Sequence, residues 1–82
     1  MARDIEQRVK QIVAKQFGVK PNTINRDLVF VEDLRADPLD LVELMITCEE
    51  EFLISIPIDD SERLTTVGLL VEYLTAKIPE EK

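Results

Sequence analysis

The single thiol in the sequence is Cys48, and there is no histidine to act as its base. Cys48 falls on an apolar helical stripe, so it is expected to be a small buried hydrophobe rather than a nucleophile. Asp33, Asp37, Asp40 and Glu43 are the carboxylates spaced closely enough to suggest a calcium loop. Such a loop needs oxygen ligands at alternate positions, a Gly at the sixth and a Glu at the twelfth. Counted from Asp33, the third position is Arg35 and the sixth is Pro38, so the match fails. Gly18 and Gly68, the only glycines, build no phosphate-cradling loop. One cysteine excludes an internal disulfide and a multi-cysteine zinc site. Neither a catalytic residue nor a metal site is expected, and an enzyme is not.

The elements that position these side chains are helical by period. Ile5, Val9, Ile12, Val13 and Phe17 form one stripe, with Asp4 and Gln7 as a capping box. Gly18 suits a left-handed C-terminal cap and Pro21 follows as a stop, so a helix is predicted over about 4–17. Residues 18–36 have no clean period and are predicted to be a long loop, with Ile24, Leu28, Phe30 and Leu34 as anchors. Asp37 is a good N-cap and Pro38 suits the first helical position, so a second helix should run to about Phe52.

Ile54 to Ile58 alternates like a strand but contains Pro57, which favours an extended connector. One short helical turn is expected over 59–64. Thr65 or Thr66 then caps a last helix carrying Val67, Leu70, Val71, Leu74 and Ile78. Pro79 should end it, leaving Glu80, Glu81 and Lys82 as a frayed tail. The sum is one all-α domain over residues 1–82, a small bundle with a long first loop.

The 82 residues carry a net charge of −7 at 45% hydrophobic and 33% charged content, a globular balance with a thin core. The charge is uneven. Residues 31–60 hold ten Asp/Glu against one Lys/Arg, a net of −9, whereas residues 1–30 have a net of +3. Such a block repels nucleic acid and attracts basic protein surfaces. No apolar run is long enough to span a membrane. Met1 to Asp4 leads into charged residues with no signal-peptide core, so a cytoplasmic location is expected.

The second helix carries two apolar stripes. At about 100° per residue, Leu41, Leu44, Met45, Cys48 and Phe52 share one face. Leu39, Val42 and Ile46 fall nearly opposite, with Asp40, Glu43, Glu49 and Glu50 on the flanks. A bundle helix needs only one buried face. The second stripe packs under the loop 18–36, or belongs to a helix that is central, or forms an exposed docking strip edged with acid.

The run Phe30-Val31-Glu32-Asp33-Leu34-Arg35-Ala36-Asp37-Pro38-Leu39-Asp40-Leu41-Val42-Glu43-Leu44 resembles the acyl carrier protein family. The likeness continues through Glu49-Glu50-Glu51-Phe52, Ile56-Pro57 and Leu64-Thr65-Thr66-Val67 to Tyr73-Leu74. It extends from Ile5 to Ile78 without an insertion. It implies a four-helix carrier bundle of three main helices and one short helix near 59–64. Family members carry acyl cargo on a 4′-phosphopantetheine arm, esterified to the Ser of an Asp-Ser-Leu motif at the start of the second helix. Here that motif reads Asp37-Pro38-Leu39, and the Gly usual before Ala-Asp is Arg35.

Proline has no hydroxyl, so position 38 is not competent for attachment and no cofactor is expected on this chain. Thr47, Ser55 and Ser61 lie outside the motif's context and read as ordinary polar residues. By resemblance, Asp37, Leu39, Asp40, Val42, Glu43, Ile46, Glu49 and Glu50 form the docking surface. The expected partners are basic surfaces of synthases, acyltransferases and a phosphopantetheinyl transferase in fatty acid or related acyl metabolism. The chain is expected to be a monomer. Three functions remain open at this stage: a non-carrying docking domain, a version of a working carrier that lacks its Ser, and an acidic interaction module unrelated to lipids.

Overall fold

The computed structural model describes the backbone of residues 2–78 and the side chains of residues 5–78. Among them are five α-helices and no strand: α1 (Ala2–Phe17), α2 (Phe30–Leu34), α3 (Pro38–Phe52), α4 (Ile58–Ser61) and α5 (Val67–Lys77). A single 3-10 turn covers Pro21–Thr23.

The three long helices lie where hydrophobic period predicts them. α1 buries Ile5, Val9, Val13 and Ala14, while Ile12 and Phe17 pack at the core's edge. Gly18 ends it at φ 71°, and the Val19 N–H returns to the Ala14 carbonyl at 3.0 Å. That is a Schellman closure, in which Gly takes the left-handed position without a Cβ clash. α3 turns Leu44, Met45 and Cys48 inward, with Leu41 and Phe52 half-buried. α5 buries Val67, Leu70, Val71 and Leu74, and the Thr66 hydroxyl caps it by accepting from the Leu69 N–H. No helix among the described residues is long and apolar enough to cross a membrane.

Three local expectations are corrected. α1 starts at Ala2, two residues before the expected start, and the Asp4 side chain expected to cap it lies outside the described residues. The segment 18–36 contains α2 and the 3-10 turn, giving five helices rather than four. Five residues are too few to show a period. α2 depends instead on Asp33, whose carboxylate accepts from the Val29 N–H at 2.7 Å, and on Phe30, which is fully buried. Burying a Phe contributes about 1.5–3 kcal/mol, enough to hold so short a helix in place. The short turn expected over 59–64 is α4, and it begins one residue earlier at Ile58. The expected stop at Pro79 and the tail 80–82 lie outside the described residues.

The segment joining α1 to α3 is stitched to the start of α5. Phe30 N–H donates to the Thr65 carbonyl at 3.1 Å and Val67 N–H to the Leu28 carbonyl at 3.1 Å. Gly68 N–H donates to the Arg26 carbonyl at 2.9 Å. A Cβ on Gly68 would stand 3.0 Å from that carbonyl oxygen, a tight contact that would push the two segments apart by a few tenths of an ångström, so glycine suits the close approach. Arg26 also binds Glu6 of α1 at 2.9 Å and Glu72 of α5 at 3.2 Å. Burial opposes the ionisation of Glu6, but hydrogen bonds from Arg26 and Lys10 hold its carboxyl below the usual value.

Two non-glycine residues adopt the left-handed conformation at helix ends, Arg35 (φ 56°) after α2 and Leu53 (φ 57°) after α3. Leu53 is 88% exposed, so its side chain offsets little of that backbone cost. Leu53→Gly is expected to stabilise the domain by about 0.5–1 kcal/mol. In a chain this small, each kcal/mol raises Tm by about 4–8 °C. Leu53→Ala retains the strained Cβ and should gain nothing, and thermal melts of the two variants check the cause.

Salt should also stabilise the fold. Glu43 and Glu50 make no ion pair among the described residues, and the net −9 of residues 31–60 lies largely on α3 and α4. Raising salt from about 10 mM to about 150 mM shortens the screening length from about 30 Å to about 8 Å. Tm should climb across that titration, and a flat response would count against self-repulsion as a destabilising force.

Candidate docking face on α3

Position 38 opens α3. Asp37 is the N-cap, and its Oδ1 accepts from the Asp40 N–H at 2.8 Å. Asp40 returns the contact, its Oδ2 accepting from the Asp37 N–H at 3.1 Å. This reciprocal box satisfies two backbone donors, and Pro38 at the first position has no N–H to satisfy. The residue is exposed and its ring has neither O–H nor N–H. The arm implied by the resemblance therefore has no atom here to be esterified to, and the residues present do not fit it. Arg35, two residues before this cap, has a positive φ (56°) that glycine takes without strain.

The second apolar stripe is exposed rather than covered. Leu39 is 64% exposed, Val42 53% and Ile46 46%, and the segment 18–36 packs elsewhere. Glu43 and Glu50 stand exposed beside them. The remaining expected docking residues have structural work. Asp37 and Asp40 each commit an oxygen to the box that starts α3. Glu49 is half-buried, and its Oε2 accepts from the Ile56 N–H at 2.7 Å, tying the connector 53–57 to α3.

Two shallow grooves run along this face. One, of about 530 Å³, lies between α3 and α4 and is floored by Leu41, Val42, Met45, Ile46, Ile56 and Ile58. Pro38 lies at its edge, with Glu49, Ser61 and Glu62. The other, of about 510 Å³, lies between α1 and α3, with Ile12, Lys15 and Gln16 facing Glu43, Ile46, Thr47 and Glu51. Gln16 closes its end by donating to the Asp40 carbonyl at 2.8 Å. Ile46 lines both grooves and is therefore the ridge between them. Ile58 is 75% exposed and belongs to this face, which the alternation over 54–58 concealed. Its position between Pro57 and a pair of aspartates is the one local sign that it opens a helix.

Neither Cys48 nor Ser61 is poised for chemistry. The Cys48 thiol is fully buried, and burial pushes its pKa up to about 12, with help from the charges of Glu51 and Glu49. Ser61 lies beside the groove, but its hydroxyl already donates to the Ile58 carbonyl at 2.8 Å. Among the described residues, no group of three or more His, Cys, Asp or Glu side chains is arranged to hold a metal.

Comparison with known proteins gives this arrangement a family. The model for the family described as "Phosphopantetheine attachment site" matches residues 7–74. Among solved structures, an acyl carrier protein from Enterococcus faecalis is similar at 27% identity with a TM-score of 0.82, covering 94% of this chain and 98% of that one. The matched stretch runs from the first turns of α1 almost to the end of α5, so that bundle, groove and helix-start box all fall within it: the chain belongs to the phosphopantetheine attachment-site family and has the acyl carrier protein fold.

Proposed function

We propose that the protein is a non-carrying member of the acyl carrier family, a docking domain rather than an enzyme. It binds basic surfaces of acyl-metabolism enzymes, among them synthases, acyltransferases and phosphopantetheinyl transferases. The observation that carries this reading is the bare strip Leu39, Val42 and Ile46, with the carboxylates of Glu43 and Glu50, which make no ion pair among the described residues, beside it. Apolar area supplies affinity, and the surrounding charge selects cationic partners and speeds encounter. The same charge repels a second copy of the chain, which supports a monomer. A cytoplasmic setting, where such enzymes of fatty acid synthesis would be met, completes the reading.

A second reading is a carrier that lacks only its nucleophile. The intact Asp37–Asp40 box favours it, because the backbone around position 38 has kept an ordinary helix start. One experiment tests the missing nucleophile that both readings share, and its Pro38→Ser arm tests whether the rest of a carrier site is in place. The chain is incubated with coenzyme A and a phosphopantetheinyl transferase, and its intact mass is measured. The mass should not change, and Pro38→Ser should gain the adduct only if the surrounding site is still functional. An adduct on the unaltered chain would sink the non-carrying reading, and peptide mapping would locate it.

Docking itself is tested by binding kinetics on the same transferase. Glu43→Lys should slow association and flatten its salt dependence, because rim charges act on encounter. Ile46→Ala should speed dissociation by about threefold to tenfold and leave the melting curve near wild type, since the side chain lies outside the core. Unfolding by Ile46→Ala would show that the stripe is structural and that the docking face lies elsewhere.

A further inference from the structure

Of the elements around the docking face, α4 is the least anchored. It runs for four residues, Ile58–Ser61, and buries none of them. Buried side chains flank it, Ile56 before and Leu64 after, which fixes its ends but not its middle. Yet α4 supplies Ile58, the exposed apolar residue that shares the groove with Val42 and Ile46.

The middle of α4 is held through Asp60. The Tyr73 hydroxyl of α5 donates to Asp60 Oδ2 at 2.7 Å, and Arg63 donates to Oδ1 at 2.9 Å. Arg63 is only three residues along the same segment and moves with it. Among the hydrogen bonds of the described residues, Tyr73–Asp60 is the one that joins α4 itself to a long helix. Tyr73 is half-buried and does not line the groove. Burial and then the Asp60 contact push its hydroxyl up to about 12, so it stays a donor at neutral pH. The same hydroxyl, followed by Arg63, holds the Asp60 carboxyl below its usual value and keeps it an acceptor.

We propose that Tyr73 is a positioning residue for the docking face: through Asp60 it fixes α4, and α4 fixes where Ile58 stands beside Val42 and Ile46. The purpose of this arrangement rests on the docking reading, but its geometry does not. A partner seated on the groove meets a wall whose place is set by a side chain outside the groove's lining.

Tyr73→Phe keeps the ring and removes the hydroxyl. Amide hydrogen exchange is followed on the free protein, and dissociation from a phosphopantetheinyl transferase is measured in parallel. The Ser61 and Glu62 amides, bonded to the Pro57 and Ile58 carbonyls at 2.9 and 3.1 Å, should exchange at least about threefold faster. Protection in α1 and α3 should stay at the wild-type level. Asp60→Ala, which cuts the same bond from the other side, should reproduce this pattern. Dissociation should speed by a similar factor, and in an Ile58→Ala background Tyr73→Phe should add nothing further. Unchanged exchange at Ser61 and Glu62, or faster exchange spread across α1 and α3, overturns the proposal whatever the transferase does. A full effect of Tyr73→Phe on dissociation in the Ile58→Ala background overturns it too. If the exchange pattern holds while Ile46→Ala leaves dissociation unaltered, the docking reading alone fails.

Discussion

Three backbone hydrogen bonds between residues 26–30 and residues 65–68 govern the rest of the molecule. They pin the long segment after α1 to the start of α5, and Val29 and Thr66 form the isolated antiparallel bridge at their centre. Gly68 permits the approach, and Arg26 reinforces it by holding a carboxylate on α1 and another on α5. With the segment drawn to that side, Ile24, Leu28 and Phe30 fill the core beneath it. Among the described residues, none of that segment covers the outer face of α3. The exposed strip is thus a result of where the segment is tied as much as of α3's own sequence.

That seam also marks how far the sequence could be read. α1, α3 and α5 announce themselves through apolar period, caps and breakers, and the two faces of α3 separate cleanly at 100° per residue. Which face is covered depends on partners more than thirty residues apart, and backbone groups carry no residue label. Pattern reasoning could therefore only set the alternatives side by side. α2 was hidden for a different reason, since five residues complete hardly more than one turn. The left-handed positions of Arg35 and Leu53 were hidden as well, because neither residue type favours that conformation. Arg35 becomes intelligible once its φ is known: the glycine that the resemblance leads one to expect there would fit a backbone angle that the arginine has to tolerate.

The acidic block divides by task. Asp33, Asp37 and Asp40 accept backbone N–H groups at the starts of α2 and α3, Glu49 holds the connector and Asp60 holds α4. Among the described residues, Glu43 and Glu50 serve neither a cap nor a connector. Sequence alone presents all of these as one run of negative charge. The structure separates carboxylates whose hydrogen bonds are satisfied within the fold from those still available to a cationic surface. The apolar residues divide in the same way, with Ile46 outside and Leu44 and Cys48 inside, on a single helix.

Cys48 has a consequence of another kind. The chain's sole sulfhydryl is sealed in the core, and its thiolate form is scarce while the bundle stays shut. An alkylating reagent can then reach it only during excursions in which α3 swings free of its neighbours. The sulfur is in effect a gauge of the bundle's opening: when reclosing is fast, its rate of capture measures the fraction of time for which the interior is laid open, and a partner clasping α3 from outside would be felt there as slower capture.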